Sequence, residues 1–214
     1  MIILGLTGSI GMGKSTAAAM LRHLRVPLFD ADEAVHQLLA AGGAGVRPVA
    51  AAFPGVETKA GNIDRPALGR LVFADPAALM RLEAILHPMV AAEEKRFLAR
   101  ARACRERLAA LDIPLLFETD AERRCDYVLV VSAPAALQRQ RVLRRPGMTE
   151  IRLASILQKQ MPDHEKRRRA DFVVPTGGGR NLTLRHLRSI VTLLRDRNTR
   201  FAGGGRRVTR LRGK

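Results

Sequence analysis

Residues 8–15 read Gly8-Ser9-Ile10-Gly11-Met12-Gly13-Lys14-Ser15 and follow the apolar run Ile2-Ile3-Leu4-Gly5-Leu6. The octapeptide matches the pattern G-x-x-x-x-G-K-[ST], in which successive backbone N–H groups converge on a phosphate. Glycine at these positions allows dihedral angles and a close approach that a Cβ atom would block. Helix formers continue to Arg22, so we expect a strand, a phosphate-binding loop and a helix whose N-terminus faces the anion. The arrangement indicates a nucleoside triphosphate as ligand.

Two side chains of this loop have expected tasks. Lys14 brings a positive charge to the outer phosphates, and the hydroxyl of Ser15 is placed to bind Mg²⁺. The alternative is a glycine-rich turn with an incidental lysine. The apolar run before the loop and the helical stretch after it argue against that alternative.

Composition limits the class of protein. The chain has 214 residues with 47% hydrophobic content, which suits one α/β domain with insertions. No stretch approaches the ~18 apolar residues of a membrane helix, and no signal-peptide pattern opens the sequence, so we expect no membrane partner and a cytoplasmic location. Cys104 and Cys125 cannot form a disulfide framework and lack zinc-site spacing, so we expect inert thiols.

The net charge of +17 is concentrated in two segments. Residues 139–169 contain 10 Lys and Arg against 3 Asp and Glu, and residues 180–214 contain 11 against 1. The second segment ends in a Gly- and Arg-rich tail, residues 200–214, which we expect to be disordered. Two interpretations of this tail stay open: it is a solvated chain end, or it makes a weak, salt-sensitive contact with a polyanion. No specific nucleic acid is expected, because base-stacking aromatic residues are scarce and no binding motif occurs.

Five short apolar runs predict buried parallel strands separated by helices. Such alternation implies a three-layer α/β/α fold around a five-stranded parallel sheet, with ligands beyond the carboxyl ends of the strands. The runs are residues 2–6, 26–29, 108–113, 127–131 and 171–174.

Acidic residues follow two of the predicted strands. The second strand leads into Asp30-Ala31-Asp32, which places a carboxylate beside the phosphate loop. The third ends at Asp112, a usual position for a carboxylate that orders magnesium or its water. Asp30 could instead cap the next helix, and Asp112 could be a helix or turn cap.

About 80 residues separate the second and third predicted strands, more than a crossover needs. We expect residues 31–88 to form a helical insertion that binds the acceptor. Arg65 is its expected anion-binding side chain, because a guanidinium holds phosphate through two parallel hydrogen bonds; a surface salt bridge is the alternative. His87 precedes Pro88 at an expected helix break and could bind substrate or make a structural hydrogen bond.

Residues 139–169 are expected to form a basic helical lid that closes over the triphosphate. Arg141 and Arg145 are four residues apart, so one helix would present both on the same face before Pro146-Gly147 stops it. Arginine is well suited to neutralise a transferring phosphoryl group. The run Lys166-Arg167-Arg168-Arg169 is expected to be a solvated face.

Further segments, in the same order along the chain, resemble the dephospho-CoA kinase family over about residues 1–176. The phosphate loop alone is shared by many enzymes, but the ordered set is highly specific. The matching segments are Gly5-Leu6-Thr7-Gly8, Asp30-Ala31-Asp32, Asn62-Ile63-Asp64-Arg65-Pro66-Ala67-Leu68-Gly69, Leu86-His87-Pro88, Asp112-Ile113-Pro114-Leu115-Leu116-Phe117-Glu118, and Gln160-Met161 followed by Ala170-Asp171.

The resemblance implies that ATP, with Mg²⁺, phosphorylates the ribose 3′-hydroxyl of dephospho-CoA, giving CoA and ADP in the final step of coenzyme A biosynthesis. It implies a P-loop kinase core of residues 1–30, 89–138 and 170–199, a CoA-substrate-binding insertion at 31–88 and a lid at 139–169. Asp32 then matches the catalytic base, assisted by Lys14 and Arg141. The residues expected to bind ATP are Gly11, Met12, Gly13, Lys14, Ser15, Thr16, Arg141 and Arg145, those expected to bind the acceptor are Asp32, Arg65, His87 and Asp112, and the expected metal ligand is Ser15.

The sequence departs from the family at several positions. Ser9 and Met12 stand where glycine and serine are commoner, which the loop tolerates because it contacts phosphate through its backbone. Thr176 stands where the family usually has asparagine, which puts a nucleotide contact from that position in doubt. A kinase for another small hydroxyl acceptor is the nearest alternative. A nucleotide-gated switch or nucleic-acid-binding protein is the alternative of another class, although no N-K-x-D guanine-reading motif occurs.

Overall fold

A computed structural model describes residues 1–200 of the chain, and all five predicted strands are present in it. They form one sheet in the order β2-β3-β1-β4-β5, in which β1 pairs in parallel with β3 and β4, and β4 pairs in parallel with β5. The predicted α/β class with a five-stranded parallel sheet is confirmed. The strands are β1 (Ile2–Thr7), β2 (Leu28–Asp30), β3 (Leu108–Asp112), β4 (Tyr127–Ser132) and β5 (Phe172–Pro175).

Helices alternate with the strands along the described residues. They are α1 (Lys14–His23), α2 (Ala31–Leu39), α3 (Val46–Ala52), α4 (Arg65–Ala74), α5 (Pro76–Ala103), α6 (Ala135–Leu143), α7 (Glu150–Gln158), α8 (Asp163–Arg169) and α9 (Arg180–Arg200), with a short 3₁₀ helix at Ala121–Arg124. No helix among residues 1–200 is long and apolar enough to cross a membrane. The tail predicted from residue 200 onward lies, after Arg200 itself, outside the described residues.

The sheet is buried because alternate strand residues face two different layers. Leu4 and Leu6 of β1 pack in one cluster with Leu129 of β4 and with apolar residues of α1 and α9, such as Leu21 and Leu187. The intervening residues of β3 and β4, including Ala109 and Val130, are also fully buried. Burial on both faces explains why these strands read as continuous apolar runs.

The chain divides into two compact units. The first comprises Met1–Phe29 with the described residues from Ala101 onward, and the second comprises Asp30–Arg100. The second unit has its own apolar core, which includes Leu39, Val49, Phe53 and Ile63. Its size and helical content agree with a separate insertion between β2 and β3.

Helix α5 corrects the expected break at His87. It runs without interruption from Pro76 to Ala103 and contains Pro88. Pro88 is exposed, so the carbonyl group that its missing N–H leaves unpaired can bond to water. As a result the second unit continues to Arg100, past the boundary expected at residue 88.

Candidate active site

The loop between β1 and α1 has the backbone shape that its glycines predict. Gly11 and Gly13 have φ angles of 77° and 88°, in the left-handed region that favours glycine. Gly13 is the N-cap of α1, and Ala17 N–H is the first to bond back, to Gly13 O at 3.1 Å. The N–H groups of the preceding first turn, from Lys14 to Thr16, therefore have no acceptor inside the helix and can bind an anion.

Residues after β4, in α6 and after α7 hold this phosphate loop in place. Gln160 Oε1 accepts from Ile10 N–H at 3.0 Å, and Gln138 Nε2 donates to Ile10 O at 2.8 Å. The Met12 side chain is buried, with its sulfur 3.1 Å from Ala133 N. The Met12 side chain is therefore turned away from solvent, and only its backbone is left for the predicted contact with a nucleotide.

Lys14 and Asp112 form an ion pair at the carboxyl edge of the sheet. Lys14 Nζ lies 2.7 Å from Asp112 Oδ1, and the carboxylate is almost wholly buried. Asp112 ends β3, where it is in register with Leu6 at the end of β1. The contact brings two of the predicted site residues together.

Ser15 and Thr16 lie in the first turn of α1. Ser15 is exposed and Thr16 is partly exposed, so the Ser15 hydroxyl is open to a cation from solvent. Among residues 1–200 no group of three or more His, Cys, Asp and Glu side chains forms a metal site. A metal ion at Ser15 would therefore take most of its ligands from phosphate and water, which is how Mg²⁺ is bound at such loops.

Arg141 reaches the phosphate loop from α6. Its Nη1 atom lies 3.4 Å from Gly11 O and 3.2 Å from Thr176 Oγ1, and Nη2 donates to Thr176 O at 2.8 Å. Arg141 is thus joined to the loop and to the end of β5. Thr176 is a residue that sequence reasoning left in doubt, although its position directly after a parallel strand could have identified it.

Arg145 corrects the expected pairing with Arg141. Helix α6 ends at Leu143, and Arg145 lies in the following turn with its side chain exposed. Proline disfavours helical dihedral angles in the residue before it, so Pro146 excludes Arg145 from the helix. The two arginines do not share a helix face.

The basic run in α8 is a solvated face only in part, because Arg167, Arg168 and Arg169 are exposed but Lys166 is not. Lys166 is completely buried, and its Nζ atom lies 2.9 Å from Glu118 Oε1. Glu118 Oε1 also accepts from Met161 N–H at 2.8 Å. Arg169 pairs with Glu122 at 2.5 Å and stacks 4.7 Å from the centre of the Phe117 ring. These contacts connect α8 and the residue Met161 before it to the segment after β3.

The second unit holds the remaining predicted residues. Asp30 Oδ1 accepts from Glu33 N–H at 3.2 Å, so Asp30 is the N-cap of α2. Asp32 lies exposed in the first turn of α2, four residues before His36. Arg65 Nη1 donates to His36 Nδ1 at 2.8 Å, a contact with a ring nitrogen and not the salt bridge that was the alternative interpretation of Arg65. His87 is exposed on α5.

Comparison with known proteins gives one consistent family. The family model described as dephospho-CoA kinase matches residues 2–180. A dephospho-CoA kinase of Paramagnetospirillum magneticum is 62% identical over 205 residues, which are 96% of each chain. A dephospho-CoA kinase of Rhodospirillum rubrum is 56% identical over 205 residues, 96% of this chain and 97% of the relative.

Solved structures agree with the sequence comparison. A crystal structure from Thermus thermophilus superposes with a TM-score of 0.77 at 37% identity, covering 90% of this chain and 96% of that one. Dephospho-CoA kinase from Campylobacter jejuni superposes with a TM-score of 0.69, covering 92% of this chain and 98% of that one. At 23% identity this second likeness shows the fold alone.

Proposed function

The chain belongs to the dephospho-CoA kinase family, and from that premise we propose how its residues divide the work of phosphoryl transfer. The enzyme is an ATP-dependent phosphotransferase that phosphorylates the ribose 3′-hydroxyl of dephospho-CoA, giving CoA and ADP, in the last step of coenzyme A biosynthesis. The observation that carries this conclusion is the family match over residues 2–180, which includes both the phosphate loop and the insertion.

We propose that ATP binds at the loop of residues 8–13 and the first turn of α1. The left-handed Gly11 and Gly13 and the free first-turn N–H groups fit a polyphosphate. Ser15 has an exposed hydroxyl suited to Mg²⁺. The metal ion, when bound, supplies neutralising charge at the transferring phosphoryl group.

Asp32 is proposed as the general base. It accepts the proton of the 3′-hydroxyl as that oxygen bonds to the γ-phosphorus, and the bond from phosphorus to the oxygen of ADP breaks. The exposed side chain of Asp32, in the first turn of α2, is open to an incoming hydroxyl.

Lys14 and Arg141 are proposed to stabilise the charge that develops on the phosphoryl group. Asp112 holds Lys14 near the loop through their ion pair. Arg141 is held by the contacts with Gly11 O and Thr176. Because the protein's own contacts position both cations, less side-chain entropy has to be lost when ATP binds.

Arg65 is proposed to bind an anionic group of dephospho-CoA. One of its Nη atoms is held by His36, and a guanidinium has further N–H donors that can reach a phosphate. Roles for Thr16 and Arg145 at ATP and for His87 and Asp112 at the acceptor stay predictions, as does the cytoplasmic location.

One coupled ADP-release assay tests the function. Dephospho-CoA, adenosine, AMP and no acceptor are compared at equal concentration, with Mg²⁺ present and then removed by chelation. We expect turnover with dephospho-CoA that depends on Mg²⁺. Equal or faster turnover with adenosine or AMP would favour a kinase for another acceptor, and ADP release that does not depend on any acceptor would indicate a nucleotide-gated protein.

A further inference from the structure

Thr176 joins three elements around the phosphate loop. It directly follows β5, is 8% exposed, and contacts Met12 in the loop, Ser132 at the end of β4 and Arg141 on α6. We propose that Thr176 is a positioning residue that sets Arg141 and the phosphate loop in one fixed arrangement. The proposal rests on the role of Arg141 in phosphoryl transfer given above.

The hydroxyl group of Thr176 can fill this role because it both donates and accepts. Its oxygen lies 2.7 Å from Met12 O and 3.3 Å from Ser132 O. A hydroxyl has one proton, so it donates to the closer carbonyl, that of Met12, and keeps its lone pairs for donors. Arg141 Nη1, at 3.2 Å, is such a donor. A continuous chain of hydrogen bonds therefore runs from the guanidinium through Thr176 to the loop backbone.

The backbone of Thr176 supports the same arrangement. Its carbonyl accepts from Arg141 Nη2 at 2.8 Å, and its N–H donates to Ser132 O at 2.8 Å. Thr176 thus holds both terminal nitrogens of the guanidinium, one by the side chain and one by the backbone. A guanidinium has five N–H donors, so these contacts leave further donors of Arg141 available to bind a phosphoryl oxygen.

Gly13 shows how closely Thr176 approaches the loop. A Cβ atom added at Gly13 would lie 3.2 Å from Thr176 Oγ1 and 3.3 Å from Thr176 Cβ. The threonine side chain therefore packs directly against the residue that begins α1. A residue at this place can transmit a small displacement to both the loop and Arg141.

Thr176→Val removes only the hydroxyl and keeps the shape and the backbone bonds. Thr183→Val is the matched control, because Thr183 is 2% exposed and its hydroxyl bonds to the carbonyls of Pro175 and Gly179, both at 3.1 Å, and not to Arg141 or Met12. We expect Thr176→Val to lower kcat at least ~10-fold, as loss of a hydrogen bond to a charged group does. The KM for dephospho-CoA should change less than about twofold, and Thr176→Ser should recover most of kcat.

A double-mutant cycle tests the link to Arg141. Arg141→Ala should lower kcat by ~10² or more in the native background. In the Thr176→Val background it should lower kcat by a smaller factor, because Arg141 has already lost its fixed position there. If Thr176→Val does not fold, Thr176→Ala takes its place in the cycle, since it removes the hydroxyl and introduces no new methyl contact with Met12 O.

Three results would overturn the inference. The first is a kcat for Thr176→Val equal to that of Thr183→Val. The second is a double variant whose loss of kcat is simply the product of the losses of Thr176→Val and Arg141→Ala. The third is a kcat for Thr176→Ser as low as that for Thr176→Val. Normal turnover by Arg141→Ala would overturn the proposed role of Arg141 together with this inference. A defect in Arg141→Ala with normal turnover in Thr176→Val would remove only the positioning role of Thr176.

Discussion

Lys14 Nζ lies 2.7 Å from Asp112 Oδ1, and the two side chains differ in depth, with 17% of the lysine exposed and 2% of the aspartate. The contact follows from the sheet, since β1 and β3 are parallel and Leu6 is in register with Asp112. The lysine is therefore the partner of a buried carboxylate as well as the residue that we propose for phosphate. Removing the cation from a carboxylate at that depth is strongly unfavourable.

Lys14→Met should abolish turnover and also destabilise the fold by about 2 kcal/mol, because it leaves Asp112 without its cation. The double variant Lys14→Met/Asp112→Asn should regain most of the unfolding free energy and none of the activity. Denaturant unfolding and the ADP-release assay measure the two effects. A double variant no more stable than Lys14→Met would contradict the structural part of the prediction.

Gly13→Ala should weaken ATP binding and lower stability. The left-handed φ of 88° is unfavourable for alanine by roughly 1–2 kcal/mol, and the new Cβ would also press on Thr176. Gly55→Ala is the matched control, since Gly55 has a φ of 86° with nothing within 4 Å of the added Cβ. Titration with a non-hydrolysable ATP analogue should show weaker binding for Gly13→Ala alone. Equal affinities for the two variants would show that the close approach of Gly13 to Thr176 does not matter for ATP binding.

The sheet and the phosphate loop were predictable because their signals are local. Apolar runs bounded by polar residues identified the five strands, and the rule that ligands lie beyond strand ends singled out Asp112. The same rule applies to Thr176 after β5, but threonine is uncharged, so the sequence offers no reason to connect it with phosphate binding. Its importance appears only when Met12 and Arg141 are seen around it.

The errors arose where long-range contacts or a single proline override a local pattern. Spacing placed Arg145 on a helix that Pro146 ends early. Lys166 belongs to a run of four basic residues, yet Glu118 pairs with it in the interior. Pro88 suggested a break in α5, but exposure of that turn lets the helix continue. Only the partner of Lys166 is distant in sequence, whereas Arg145 and Pro88 show that the effect of a proline depends on its immediate surroundings.

Asp32→Asn should lower kcat by ~10² or more, because the amide cannot accept the hydroxyl proton. ATP binding and the unfolding transition should stay unchanged, since Asp32 is exposed. Glu33→Gln is the control, because Glu33 is the neighbouring exposed carboxylate in the same turn of α2. Steady-state kinetics with saturating ATP compare the two variants. Normal turnover by Asp32→Asn would exclude it as the base.

Arg65→Ala should raise the KM for dephospho-CoA about tenfold or more and leave the KM for ATP unchanged, because a charge-assisted hydrogen bond to the acceptor is lost. Arg70→Ala serves as control, since Arg70 is another exposed arginine of α4. His36→Ala should produce a smaller rise, as it only releases one Nη atom of Arg65. A change in the KM for ATP instead would place Arg65 at the nucleotide.

Lys166→Met should destabilise the protein by about 2–3 kcal/mol, because it removes the cation that faces Glu118 in the interior. Arg168→Met removes the same charge from a side chain that is 76% exposed, so it should change stability by less than about 0.5 kcal/mol. Adding Glu118→Gln to Lys166→Met should restore part of the loss, since an amide without a partner is less unfavourable than a carboxylate. Thermal and denaturant unfolding of the four proteins measure these differences. Equal stability of Lys166→Met and Arg168→Met would mean that the ion pair contributes nothing, and that α8 is held by other contacts such as those of Asp163 with Ser132 and of Arg169 with Glu122.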